Sequence, residues 1–196
     1  MRDLILKMSM SLDGFVSDLE GRNSWMFGAD PEAKAWSVET VATAGLHLMG
    51  GRSFRDMAGY WPTSTDAFAP PMNRIPKAVF SRQGAAILES APALSAALQP
   101  GGESWAQAQV ISGDLATEIA KLKAQDGKPI IAHGGVGFAR ALVAQGLVDR
   151  FVLLVSPVAL GKGHALFSDL AEPMRLELVS ARAFPGGATA QVYRPA

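Results

Sequence analysis

The chain contains no cysteine, which excludes disulfides, thiolate metal sites and thiol nucleophiles together. It also lacks a long apolar run. The longest, Phe151 to Val155, is far too short to cross a bilayer, so no membrane partner is expected. Neither charge is in surplus: 18 basic residues cancel 18 acidic ones. Nucleic-acid binding through counterion release wants a basic excess, so that class is set aside as well. The amino terminus, Met1-Arg2-Asp3-Leu4-Ile5, has an early acid and no extended apolar region, unlike a signal peptide. Histidine is scarce. His47, His133 and His164 form no i, i+4 pair and no cluster with acids, so no metal site is expected. What remains is a cytoplasmic protein that handles a small molecule. Its 196 residues fit one domain, 1–196, and a chain of this size buries roughly 70% of its unfolded surface.

Short β-rich runs alternate with helical stretches. Asp3 to Met10 reads as a mostly apolar strand buried on both faces, ending at the turn pair Asp13-Gly14. Pro31 to Ala44 reads as a helix, with Asp30 as N-cap, Pro31 in the first turn and Gly45 at the end. Leu46 to Met49 is a short strand and Ser53 to Ala58 a helical turn or two. Residues 59–76 hold four prolines and read as irregular; Lys77 to Ser81 is again a strand. Residues 83–108, rich in alanine, read as an insertion loop with a helical turn around Leu94 to Leu98. Beyond Val110-Ile111, Asp114 caps a helix whose Leu115, Ile119 and Leu122 share a stripe, stopped by Gly127 and Pro129. Ile130 to Ala132 is a buried strand broken by Gly134-Gly135, followed by a helix to Gly146. Val148 to Val155 is the strongest strand. Met174 to Ala183 and Thr189 to Tyr193, around Gly186-Gly187, read as an antiparallel hairpin. The pattern predicts an α/β fold with one mixed sheet, parallel at its centre and flanked by helices.

Two turns stand out as places for chemistry. Gly134-Gly135-Val136-Gly137 lies between a buried strand and a helix, where glycines admit close backbone approach and free amides attract phosphate. It is neither a Rossmann fingerprint, because Arg140 stands where the third glycine belongs, nor a Walker loop. Gly50-Gly51-Arg52-Ser53 also follows a strand and offers amides, a guanidinium and a hydroxyl at a helix start. Each turn alone is explained equally well as a chain reversal. Together they fit a dinucleotide at the carboxyl ends of neighbouring strands. Asp13 is explained as a turn residue and Asp30 as a cap; His133, beside the glycine pair, either faces a ligand or is a hydrogen-bonded structural residue. Trp25, Trp36 and Trp61 either line a flat pocket or fill the core.

Read in order, four stretches resemble the dihydrofolate reductase-like family, in the branch of the reductase domain of bacterial riboflavin biosynthesis. They are Met8 to Phe15; Leu48 to Phe54, closing in Tyr60-Trp61-Pro62; Ile75 to Arg82; and Ser112-Gly113-Asp114 through Gly134-Gly135 and Leu147-Val148-Asp149 to Pro157–Gly163. The resemblance implies a three-layer α/β fold and an NADPH-dependent oxidoreductase, a homodimer, whose interface would lie on Val148 to Val155 or the insertion. Gly50, Gly51, Arg52 and Ser53 with Ser81 and Arg82 would hold the adenosine phosphates. Gly134, Gly135, Val136, Gly137 and Phe138 would take the pyrophosphate. Ser11 and Asp13 would border the nicotinamide and substrate, with Trp25 beside them. The family usually has arginine where this chain has Gly51; Arg52 is the nearest substitute for the 2′-phosphate contact, so NADH is possible as well as NADPH. The Trp25-to-Asp30 spacing matches the tryptophan-to-acid spacing of dihydrofolate reductases, which makes Asp30 a proton donor needing a raised pKa. The implied reaction is reduction of 5-amino-6-(5-phosphoribosylamino)uracil or another small carbonyl or imine. The alternatives are folate reduction and a non-catalytic nicotinamide-nucleotide-binding protein.

Overall fold

The computed structural model describes residues 1–26, 30–91 and 98–196. Its strands and α-helices follow the chain as β1 (Leu4–Ser11), β2 (Phe15–Ser17), α1 (Pro31–Ala42), β3 (Leu46–Gly50), α2 (Gly51–Ala58), α3 (Ala69–Arg74), β4 (Lys77–Phe80), β5 (Gln109–Ile111), α4 (Leu115–Ala124), β6 (Ile130–His133), α5 (Val136–Ala144), β7 (Arg150–Ser156), β8 (His164–Ala165), β9 (Leu176–Ala183) and β10 (Thr189–Pro195). One eight-stranded sheet runs β5-β4-β3-β6-β1-β7-β10-β9. Strands β5 to β7 in that order are parallel, and the closing hairpin β9–β10 is antiparallel. A small second sheet pairs β2 with β8.

Helices cover both faces, which is why the central strands are apolar on each side. Leu4, Leu6 and Met10 of β1 pack with Ile119 and Leu122 of α4 and with Ala139, Leu142 and Val143 of α5. On the other face Met49 and Val79 meet Val41 of α1, Phe54 of α2 and Met72 of α3, while Ile5 and Ile131 meet Ala44 and Trp36. Fully burying one such side chain contributes roughly 1.5–3 kcal/mol.

Three sequence expectations need correction. Residues 59–76 are not wholly irregular: α3 forms at Ala69, with Pro70 and Pro71 in its first turn, where the missing N–H groups have no helical partner to lose. The 83–108 segment is less loop-like than its composition suggests. It holds 3-10 turns at Gly84–Ser90 and Gly102–Trp105, and Ile87 and Trp105 are fully buried. The Trp105 indole donates to Asn73 Oδ1 at 2.9 Å, tying this segment to α3. Most of the turn expected around Leu94 to Leu98 lies outside the described residues. The Val148 to Val155 run is no interface within this fold, because β7 is buried between β1 and β10. The sheet's two edges are β5 and β9, and β9 is exposed along nearly its whole length.

Candidate functional site

Strands β3 and β6 are parallel neighbours; β3 ends in Gly50 and runs straight into α2, and β6 ends in His133 and reaches α5 through Gly134-Gly135. The N-cap of α2 is Gly50 and that of α5 is Gly135, and neither end has a side-chain cap. The first amides of both helices therefore point out of the sheet's carboxyl end with the positive end of each helix dipole behind them. The two corners touch. A Cβ on Gly50 would stand 2.9 Å from Cβ of Phe138, and one on Gly135 would stand 3.0 Å from Ser53 Oγ. Gly134 has φ +26°, a conformation costly for any other residue, and lies against the Met8 sulfur. Gly137 faces open space. One amide is already engaged, since Gly135 N–H donates to Ser53 Oγ at 2.5 Å; a ligand using that amide has to displace the serine hydroxyl.

Ser81 completes the group from β4, its Oγ 3.6 Å from where a Gly51 Cβ would sit. Phe80 and Phe138 wall the corner, with ring centroids 5.4 Å apart. Arg52 and Arg82 stand exposed at the rim, and neither joins a salt bridge among the described residues. Gly50 to Ser53, Ser81 and Gly134 to Phe138 thus meet at one corner, with Arg52 and Arg82 adjoining it in the chain.

The residues expected around a substrate are occupied differently. Ser11 is fully buried; its hydroxyl accepts from Phe15 N–H at 2.9 Å and donates to Asp13 Oδ1 at 2.6 Å. Asp13 also accepts from the amides of Leu160 and Gly161, at 3.1 and 2.7 Å, so it clamps the loop after β7 onto the end of β1. These bonds, led by Ser11, hold its carboxyl down at about 2. Asp30 caps α1, taking Glu32 N–H at 3.0 Å and Ala33 N–H at 3.1 Å on Oδ1, and takes Gly186 N–H at 2.6 Å on Oδ2. The Ala33 amide leads in lowering its pKa, the reverse of what a proton donor needs. The capping reading of Asp30 is what the geometry carries. Trp25 lies in a 3-10 turn, Ser24–Met26, and its buried indole N–H has no hydrogen-bond partner among the described residues. Phe27 to Ala29, which separate it from Asp30, are outside the described residues.

Sequence reading missed the other half of the corner. A central strand between helical layers should be buried throughout, yet Lys7, Met8 and Ser9 in the middle of β1 keep accessible surface, marking where the layers part. Lys7 stands beside His133 across the β1–β6 ladder. Although not sealed from solvent, its side chain is packed round by protein, and that burial lowers its pKa to about 8. Among the described residues its Nζ has no hydrogen-bond acceptor and no carboxylate partner; Trp36 lies 6.0 Å away. His133 Nε2 and His47 Nδ1 are 2.9 Å apart, and His47 Nε2 is 3.1 Å from the Pro71 carbonyl oxygen. The missed signal was the alternation Leu6-Lys7-Met8-Ser9-Met10-Ser11, which puts every polar residue on one face.

Two cavities, of about 220 and 370 Å³, open near α3 and the amino ends of β3, β4 and β5, away from the glycine corner. They carry no part of this site. Among the described residues no cluster of histidines and carboxylates is placed to hold a metal, and no helix is long and apolar enough to cross a membrane.

The model of the RibD C-terminal domain family matches residues 2–190. The chain is 29% identical to the Bacillus subtilis (strain 168) protein YyaP, itself uncharacterized, over 98% of this chain and 94% of that one. A putative riboflavin biosynthesis protein from Shewanella sp. PV-4 has a similar structure, with a TM-score of 0.72 at 19% identity over 99% of both chains. A Thermotoga maritima diaminohydroxyphosphoribosylaminopyrimidine deaminase/5-amino-6-(5-phosphoribosylamino)uracil reductase superposes with a TM-score of 0.70 at 17% identity, over 100% of this chain and 57% of that one.

Proposed function

The chain belongs to the RibD C-terminal domain family, a reductase-like family of the riboflavin pathway, and from that premise we propose that it is an NADPH-dependent reductase of a small carbonyl or imine. The observation that carries this reading is the pair of uncapped helix starts meeting at the carboxyl ends of β3 and β6. Dinucleotide phosphates need clustered amides, positive helix ends and glycines that let the backbone approach. The corner supplies all three. The Gly51, Arg52 and Ser53 amides with Ser81 would hold the adenosine side. Those of Val136, Gly137 and Phe138 would hold the pyrophosphate, and Arg52 and Arg82 are the cations within reach of a 2′-phosphate. Bound there, the nicotinamide supplies a hydride. The chain's own contribution is orientation, exclusion of water by Phe80 and Phe138, and a proton. Lys7 Nζ is the donor of this reading. With a pKa of about 8 it is mostly protonated at neutral pH and a far better acid than an unburied lysine. Lys7 Nζ would give its proton to the carbonyl oxygen, or the imine nitrogen, of the substrate and be reprotonated from solvent.

The test is a thermal and spectrophotometric titration with NADPH, NADH and 5-amino-6-(5-phosphoribosylamino)uracil. NADPH at 100 times its Kd is expected to add about 2.7 kcal/mol of stability. Arg52→Ala is expected to weaken NADPH more than NADH. Lys7→Met is expected to abolish turnover while leaving NADPH affinity unchanged. An NADPH that neither stabilises the protein nor is oxidised overturns the reading.

The same reading includes a homodimer, formed through β9. That strand is exposed on both sides, with Leu178 58% and Val179 52% accessible, and an open edge with apolar side chains invites pairing. Two-fold antiparallel pairing about Val179 and Ser180 would set Glu177 opposite Arg182 of a second copy. Leu178→Lys is expected to convert a dimer to a monomer in sedimentation analysis; a wild-type monomer sinks this part.

A further inference from the structure

We propose that His47 and His133 form a tautomer lock that presents the Nδ1 lone pair of His133, beside Lys7, as an acceptor for a hydroxyl next to the carbon being reduced. This makes His133 a specificity-determining residue for α-hydroxy carbonyl or imine substrates and His47 its positioning residue. The substrate half of the proposal rests on the reductase reading above; the lock itself does not.

The direction of each bond follows from chemistry. A carbonyl oxygen only accepts, so the 3.1 Å contact to Pro71 requires the proton on His47 Nε2. A neutral imidazole carries one proton, so His47 Nδ1 is an acceptor. The 2.9 Å contact then requires His133 Nε2 to donate. His133 Nδ1 is left bare, and no donor reaches it among the described residues. Both rings are neutral: burial pulls His47 down to about 4 and His133 well below its usual value, with Lys77 adding to the first shift and His47 and Lys7 to the second. Because the chain of bonds ends on a carbonyl, which cannot pass a proton onward, the pair does not conduct. It orients.

The lock faces the right place. His47 is wholly buried at the base of β3, whereas His133 keeps 8% of its surface accessible and adjoins the Gly134 corner. Among the described residues Lys7, its neighbour across the ladder, has donors without an acceptor, and His133 Nδ1 is an acceptor without a donor. A lone carbonyl satisfies only the lysine. A carbonyl with an adjacent hydroxyl satisfies both, its oxygen taking the Lys7 hydrogen bond and its O–H donating to Nδ1. A buried polar group left unmatched by the wrong substrate is a strong discriminator.

Long-range proton–nitrogen NMR on the whole protein tests the lock without turnover. The expected spectrum has a protonated Nε2 and a bare Nδ1 on both rings; a proton on His133 Nδ1 overturns the proposal. His47→Gln, which can accept from His133 and donate to Pro71, is expected to keep the single His133 tautomer, and His47→Leu to give a mixture. Specificity is then read as kcat/KM with NADPH for glycolaldehyde against acetaldehyde. We expect a preference of at least about tenfold in wild type and His47→Gln, lost in His47→Leu. Equal rates in wild type overturn the substrate half. Failure to turn over either aldehyde, with the tautomer intact, counts against the reductase reading and removes the substrate half with it, while the lock stands.

Discussion

Helices α1 and α4 begin on aspartate, and α2 and α5 begin on glycine. Asp30 and Asp114 place carboxylate oxygens on the first amides of their helices, whereas Gly50 and Gly135 leave theirs without a side-chain partner. An aspartate cap contributes about 1 kcal/mol over alanine but only a few tenths of a kcal/mol over glycine, so the glycine starts forgo a little stability that the same chain secures elsewhere. The difference follows position. The two closed starts stand apart from each other, while the two open ones leave adjacent parallel strands and meet, Gly135 N–H on Ser53 Oγ and Gly50 against Phe138. The two aspartate starts are sealed; the two that share a corner are the ones the proposed reading gives to an anion.

The sharpest way to break this contrast is to close an open end. Gly135→Asp would set a carboxylate where α5 starts, adding a like charge against any bound phosphate. Such juxtapositions cost several kcal/mol, so NADPH affinity is expected to fall about 100-fold or more by calorimetric titration; the new Cβ, 3.0 Å from Ser53 Oγ, is expected to lower stability as well. Unchanged affinity would mean the corner is not where phosphate binds.

Acid separates the open corner from the sealed ends in two steps. His47 has a folded pKa of about 4 against an unfolded value near 6.5, so the unfolded chain takes up a proton that the folded one refuses. The His47 contribution is therefore fully present above pH 6.5 and is lost as pH drops toward 4, by roughly 2–3 kcal/mol, with His133 acting in the same direction. Lys7, lowered to about 8, behaves in the same sense at the alkaline end, and stability recovers as pH rises from 8 toward 10.5. The sealed ends respond later. Asp30 and Asp114 have lowered pKa values, so their contribution is present above the ordinary aspartate range and is lost below it. Denaturant midpoints across pH should show the first slope flattened in His47→Gln and the lower one untouched; an unaltered first slope would acquit the histidines.

How much of this was legible depended on whether the signal was local. Asp30 before Pro31 and Asp114 before a periodic stripe are caps that sequence spells out, and the strand–glycine–helix corners are as readable. The parallel sheet and its closing hairpin followed from the alternation of elements. Nothing local ties His47 to His133, 86 positions apart; only the adjacency of β3 and β6 does. Lys7 was hidden differently, within a run whose apolar average outweighed its period of two. Asp30 misled because a matched spacing suggested chemistry, while its oxygens are taken up by Glu32, Ala33 and Gly186.

Opening a sealed end gives a smaller effect. Asp114→Ala is expected to cost about 1 kcal/mol, a Tm decrease of about 2–4 °C for a chain of this size, with NADPH affinity unchanged. Asp30→Ala should cost somewhat more, since the Gly186 amide loses its partner too. Turnover in that variant should persist, and its loss without a stability change would restore Asp30 as a donor.

The smallest effect is the most discriminating, because stability and binding should move in opposite directions. Gly137 lies in the first turn of α5, and a Cβ there meets nothing within 4 Å. In the unliganded protein Gly137→Ala should therefore stabilise α5 by roughly 0.5–1 kcal/mol, through the lower entropy of the unfolded chain and better helix propensity. The added methyl occupies the space through which a pyrophosphate would reach the Val136 and Phe138 amides, so NADPH affinity should fall. A sealed helix has no such conflict: Ala116, at the corresponding place in α4, already carries the methyl group. Were Gly137→Ala to gain stability and keep its nucleotide affinity, the open start of α5 would be an unimproved helix end rather than a binding surface.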